Sequence, residues 1–262
     1  DNAQMQQSLV GRGHTHAVSR ATSYFDQNAY LGEFVDGIEY FDLINNLLKD
    51  YDNKFEELKD ILIEMTKYIF VKENLIVSYT GNNDGLQTFI PKLEKFVDKL
   101  SLTVPTKELF KFECNQLNEG FKAPYDVQYC ALAGNFIKDG LKYTGALQVF
   151  ANAISTDYLW KNVRVLGGAY GCMCGFKQTG NSYFVSYRDP NLAKTYETYR
   201  GVLEYLENFH ADENDMTKYI IGAVGTYDFP KSPSVKGLRA FNSYLVGLKD
   251  ENYKKEKMEI IN

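Results

Sequence analysis

Thirteen residues from Arg164 to Phe176 read RVLGGAYGCMCGF and hold an arginine, a tyrosine, two cysteines and four glycines. Such a stretch could cradle a phosphate, hold a metal, or grip a ligand through Arg164 and Tyr170. The phosphate reading fails on order. A dinucleotide fingerprint needs G-x-G-x-x-G after a strand and before a helix. Here Gly168 and Gly171 match the last two glycines, but Leu166 stands where the first belongs. A helical pattern also leads into the glycines and a strand pattern leaves them. Nowhere does the chain contain G-K-S or G-K-T.

The metal reading is weak. Cys172 and Cys174, two apart on a strand, share a face, yet zinc takes about four ligands and nothing nearby supplies the others. Packing accounts for them better. No two of the four cysteines, Cys114, Cys130, Cys172 and Cys174, form C-x-x-C. His14 and His16 lack both the glutamate and the i,i+4 spacing of a helical zinc motif, and a G-x-S-x-G elbow is absent. The residues nominate no nucleophile and no general base. Arg164 and Tyr170 remain. Arginine offers five donors and tyrosine a hydroxyl, and both suit carbonyls or carboxylates of a ligand. On the residues alone, a helix-capping Arg164 and a core-packed Tyr170 are the stronger account.

The elements that must position this pair follow from periodicity. Phe55, Leu58, Leu62, Met65 and Ile69 recur at three- and four-residue steps and predict a helix. Asn53 and Glu56 are placed as its capping box. NLIVSYTG, residues 74–81, is short and β-branched and reads as a buried strand, and NNDG reads as a turn. Leu86, Phe89, Ile90, Leu93, Phe96, Val97 and Leu100 give a second helical stripe, with Pro91 inside it. SLTVPTKE, residues 101–108, has no period and reads as a linker. Two strand-like runs follow, 109–116 and 125–136. A helix is predicted over 145–165, then strands over 169–176 and 182–188 joined by KQTGN, with Asn191 positioned to cap the next helix. There Leu192, Tyr196, Tyr199, Leu203 and Leu206 form one long stripe. The remainder is helical and polar. Strands joined by short turns run antiparallel. The predicted class is therefore α+β: a mixed, mostly antiparallel sheet with helices packed on one face.

Composition bounds the rest. With 262 residues, 44% hydrophobic and 24% charged, the chain is an ordinary globular one. A net charge of −5 argues against nucleic acid as a partner. No apolar run approaches the roughly 20 residues of a membrane helix, so no membrane partner is predicted. Reduced-looking cysteines and the lack of a signal-like segment favour a cytoplasmic location. The chain starts at Asp1 without an initiator methionine and reads as a fragment.

LWKNVRVLGGAYGCMCGF followed by YFVSYRDPN resembles the C-terminal part of the insulinase/pitrilysin superfamily of zinc metallopeptidases, in particular the presequence-protease subfamily that includes falcilysin. GHTHAVSRATSYF, GIEYFDLINNLL, NEGFKAPYDVQY and AVGTYDFPKSPSVKG resemble the same subfamily, in order, along nearly the whole chain. The resemblance implies four related α/β modules in two halves that close around a chamber. It implies that residues 1–100 are the helical end of the third module with a strand–helix connection, and that residues 101–262 are the fourth. The parent would be a zinc-dependent endopeptidase degrading unstructured peptides. Its H-x-x-E-H zinc motif would lie in the N-terminal catalytic half, which is the partner of this one. This chain would hold no zinc and be inactive alone. The family's R-x-x-x-x-x-Y spacing falls on Arg164 and Tyr170, which implies substrate contact for that pair. A non-catalytic scaffold of the same superfamily is the alternative that the resemblance leaves open.

Overall fold

The structure is a computed structural model that describes every residue except Asp1, Val104, Pro105, Lys107, Glu108, Leu109, Gln116 and Pro124. Its helices are α1 (Asn2–Gly11), α2 (Gly13–Ser23), α3 (Gln27–Asp36), α4 (Ile38–Lys49), α5 (Tyr51–Ile69), α6 (Asn83–Val97), α7 (Ala146–Ala153), α8 (Ala193–Arg200), α9 (Val202–Glu207), α10 (Glu213–Asp228), α11 (Pro233–Leu245) and α12 (Asp250–Ile261). Three strands, β1 (Ala131–Asn135), β2 (Gly171–Phe176) and β3 (Asn181–Tyr187), form one antiparallel sheet in the order β1-β3-β2. The chain divides into two compact units.

The first unit comprises residues 1–45, 112–228 and 254–262 and contains the sheet. Its predicted hairpin is present. Lys177 and Asn181 close the turn through a 2.8 Å hydrogen bond, and Cys172, Cys174 and Phe176 pair across to Ser186, Phe184 and Ser182. Those side chains share one face because strand side chains alternate. Ile154, Leu159, Val163, Tyr199 and Val202 are buried in the cluster against that face. Each large aliphatic side chain buried this way stabilises the fold by about 1.5–3 kcal/mol. The α+β class is as predicted, but the sheet is better covered. Helix α2 lies against the opposite face, where His14 meets the Tyr187 ring at 5.0 Å.

The second unit comprises residues 46–111 and 229–253 and is built from α5, α6 and α11. Several local expectations fail here for identifiable reasons. Helix α5 starts at Tyr51 with Asp50 before it, so Asn53 is inside the helix and donates to the Asp50 carboxylate at 2.6 Å instead of capping. Its apolar stripe is real, but Phe55, Leu62, Met65 and Ile69 are exposed. NLIVSYTG forms no strand: among the described residues no other segment pairs with it, and Ile76 and Val77 are exposed. NNDG is the start of α6, with the Asn82 side chain accepting from Gly85 N–H at 2.8 Å. An asparagine that favours a turn also favours a helix N-cap. Residues 110–115 form no strand, while the ends of that predicted run lie outside the described residues. The linker predicted over 101–108 is likewise only partly described.

Candidate functional site

The helix predicted over 145–165 changes winding midway. Residues Ala146–Ala153 are α-helical and Ile154–Val165 are π-helical. Leu166 N–H bonds Lys161 C=O, five residues back, at 2.9 Å. Buried Ile154, Leu159 and Val163 follow at steps of five and four, in keeping with the wider turn. π-helical winding is rare and occurs mostly as single turns within α-helices, frequently at functional sites. The segment ends at Val165, and the turn after it passes through Gly168, whose φ of +81° suits a glycine. Its N–H returns to Arg164 C=O at 2.9 Å, and Ala169 N–H returns to Val163 C=O at 3.1 Å. The chain then turns into β2. Arg164 is thus in the last turn of the segment, and Tyr170 stands one residue before the strand.

The structure brings this pair together. Arg164 Nη1 donates to the backbone carbonyl of Tyr170 at 2.8 Å. That bond lies beyond the helix end, so Arg164 does not cap its own last turn. Its guanidinium lies over the Trp160 ring, 4.2 Å from the centroid, and 5.7 Å from the centroid of Tyr170. Cation–π contacts of this kind contribute about 0.5–1 kcal/mol at exposed sites. One of five donors is used by Tyr170. Among the described residues no carboxylate pairs with the guanidinium. Tyr170 is not a core residue: it is 58% exposed, and Trp160 beside Arg164 is 47% exposed. The Tyr170 ring meets Tyr187 edge-on at 5.4 Å. Gly171 permits this, since a Cβ there would strike the Tyr187 ring.

Sequence reasoning missed Arg188. It follows Tyr187 at the end of β3 and brings its guanidinium to 5.7 Å from the centroid of Tyr170. Its backbone φ is +48°, the one positive φ at a non-glycine among the described residues. A tripeptide containing arginine gives no warning of that conformation. Two sets of backbone bonds fix it. Arg188 C=O accepts from Tyr170 N–H at 3.2 Å, and Asp189 exchanges two bonds with Gln128, at 2.8 and 2.9 Å. The Asp189 carboxylate is fully buried and satisfied by Asn191 N–H at 2.8 Å and the Thr195 hydroxyl at 2.7 Å. Asn191, predicted as a cap, instead ties its side chain to Gly167 C=O at 2.5 Å. The predicted long stripe after it is divided between α8 and α9 at Gly201.

The cysteines take no part. Burial pushes the Cys172 thiol up to about 11, with Cys174 adding to the shift and Arg164 opposing it. Cys174 rises to about 11 through burial, opposed by its contact with Ser155. A thiol so far from its thiolate is a poor nucleophile and a poor metal ligand. Among the described residues no group of three or more His, Cys, Asp or Glu side chains could hold a metal ion. Cys172 and Cys174, partly buried and protonated, do not fit one. His14 and His16 both fall below their usual 6.5. Burial is the main cause for each, reinforced by Arg12; at His16 a nearby Asp36 opposes the shift.

The chain that builds this sheet, π segment and exposed arginine–tyrosine corner is a peptidase-family domain. Residues 118–262 match the model of the PreP C-terminal domain, and residues 1–47 match the model of a peptidase-associated family. The chain belongs to the PreP C-terminal domain family. It is 38% identical over 260 residues to Protein HypA of Clostridium perfringens, covering 99% of this chain and 26% of that protein. It is 31% identical to Presequence protease 1, chloroplastic/mitochondrial, of Arabidopsis thaliana, covering 99% of this chain and 24% of the relative. With the mitochondrial presequence protease of Saccharomyces cerevisiae the identity is 29%, over 90% of this chain and 25% of the relative. The chain therefore spans about a quarter of the length of these curated relatives. The names of the presequence proteases assign those proteins to mitochondria or chloroplasts, which overturns the cytoplasmic expectation. Its two grounds, reduced-looking cysteines and the lack of a signal-like segment in these residues, do not fix a compartment, since thiols report redox state. Among the described residues no helix is long and apolar enough to cross a membrane.

Proposed function

We propose that this chain is the metal-free, peptide-binding part of a zinc-dependent endopeptidase that degrades unstructured peptides. Residues 101–262 would be its fourth module, and residues 1–100 the end of its third. The zinc and its ligands would belong to the catalytic half that closes against this one, and this chain would be inactive by itself. Arg164 and Tyr170 are the groups that contact the substrate backbone. The observation that carries this reading is an exposed tyrosine beside an arginine that has donors to spare and no carboxylate partner among the described residues. Such a pair, supported by the π segment and the glycine corner, presents N–H and O–H donors to a peptide carbonyl. A charge-assisted hydrogen bond of this type contributes about 1.5–3 kcal/mol. When it strengthens as the carbonyl oxygen becomes negative, it accelerates cleavage and does more than improve binding.

The test is steady-state cleavage of an unstructured peptide by a full-length enzyme carrying this chain, wild-type and Arg164→Ala. A fall of at least about tenfold in kcat/KM, equivalent to 1.4 kcal/mol, supports the role. If the full-length protein cleaves no peptide at all, the chain is a scaffold instead.

A further inference from the structure

We propose that Arg188 is a second ligand-binding residue of the Arg164–Tyr170 site, and that the two guanidiniums together select peptides carrying a carboxylate at that site. The proposal rests on the reading of Arg164 and Tyr170 as substrate contacts. Three observations carry it. Both guanidiniums lie 5.7 Å from the centroid of one exposed tyrosine ring, so they are no more than twice that distance apart. Among the described residues neither has a carboxylate partner, although the chain as a whole carries a net charge of −5. Two like charges beside one ring without a counter-ion raise the local potential and attract an anion.

The third observation is the backbone. An arginine at φ +48° occupies a conformation that glycine and asparagine adopt more easily. Such strain is unfavourable and persists where surrounding structure holds it, often at functional sites. The bond from Tyr170 to the Arg188 carbonyl and the pair between Gln128 and Asp189, the next residue, hold it here. A residue chosen for backbone fit alone would be glycine or asparagine. The side chain is what arginine adds, and its place is against Tyr170. An unmodified peptide at neutral pH offers carboxylates as its anions, either on Asp and Glu side chains or at its C-terminus. Arginine's planar fork matches a carboxylate bidentately.

The experiment compares kcat/KM for two peptide pairs on the full-length enzyme: free-acid against amidated C-terminus, and an internal Glu against Gln. The enzyme is wild-type, Arg188→Gly, Arg188→Asn or Arg188→Lys, and Tm is recorded for each. The expected result is at least a fivefold wild-type preference for the carboxylate in one pair, and that pair identifies the source of the anion. Arg188→Gly and Arg188→Asn abolish the preference and raise Tm, while Arg188→Lys keeps part of it. A wild-type enzyme without preference, or a preference unchanged by Gly and Asn, overturns the proposal. Loss of preference in all three variants with a lowered Tm assigns Arg188 a structural role and overturns it too. Arg164→Ala is measured in parallel. Unaltered turnover in that variant removes the underlying reading, whereas lowered turnover with intact discrimination at Arg188 removes this inference alone.

Discussion

Two arginine clusters in the same unit do opposite things. Arg20 on α2 is enclosed by acids. It donates to both oxygens of Glu119 at 2.7 and 3.1 Å, to Glu39 at 2.8 Å and to Glu33 at 3.4 Å, with the Tyr24 and Phe121 rings beside it. Arg164 and Arg188 have aromatic neighbours as well, but no carboxylate among the described residues. Charge that is matched inside the fold holds the fold together. Charge left unmatched at an exposed corner is available to a ligand. The contrast separates an arginine matched inside the fold from two left without a carboxylate among the described residues.

The largest expected effect is on the structural side. Arg20→Ala leaves Glu33, which is 1% exposed, without its cation. Stranding a buried charge costs about 3–5 kcal/mol, so urea unfolding of Arg20→Ala should show a loss near the lower figure, since Glu39 and Glu119 are partly exposed. Glu33→Gln should cost under about 1 kcal/mol. It removes a carboxylate that burial already pushes toward its neutral form, and it keeps an oxygen for Ile38 N–H, now 3.2 Å away. Equal losses from both variants would erase the proposed asymmetry.

Next in size is Tyr170→Phe. It keeps the ring that the arginines flank and deletes the hydroxyl. A neutral hydrogen bond is worth about 1 kcal/mol, so kcat/KM should fall about fivefold with Tm unchanged. A shift in Tm with unchanged kinetics would move Tyr170 to the structural class.

The smallest effect is the pH dependence of stability. His14 and His16 have folded pKa values below 6.5, so the unfolded chain takes up protons first as pH falls. Their contribution is complete above about pH 6.5 and is lost as pH falls from there through the folded values. Glu33, shifted upward, has the opposite sign: its contribution is complete below 4.5 and is lost as pH rises through its folded value. Urea midpoints should therefore decline on acidification below about pH 6.5, and by less in a His14→Gln/His16→Gln double variant.

How much of this was legible in the sequence depends on how local the cause is. The KQTGN hairpin was, because a glycine turn and two alternating runs sit together, and Gly180 takes φ +87° there. So was the extent of the helix that ends at Val165. Its winding was not read, although the five-residue gap from Ile154 to Leu159 is the trace a π segment leaves in an apolar pattern. NLIVSYTG misled because strand propensity describes a surface that a neighbour must complete, and pairing is a nonlocal fact. Arg164 and Tyr170 were found by residue type, yet the exposure of Tyr170 was not, and that exposure is what reverses its core-packing account. Arg188 was invisible, because a single φ and a ring contact across the sheet exist only in the folded chain.

Arg164→Ala in the full-length enzyme tests the central claim most directly, with kcat/KM and Tm measured on the same preparation. The account predicts a loss of at least about tenfold in kcat/KM with Tm unchanged, because the side chain serves the ligand and not the fold. Unchanged kinetics, or a kinetic loss that only follows a fall in Tm, would contradict it.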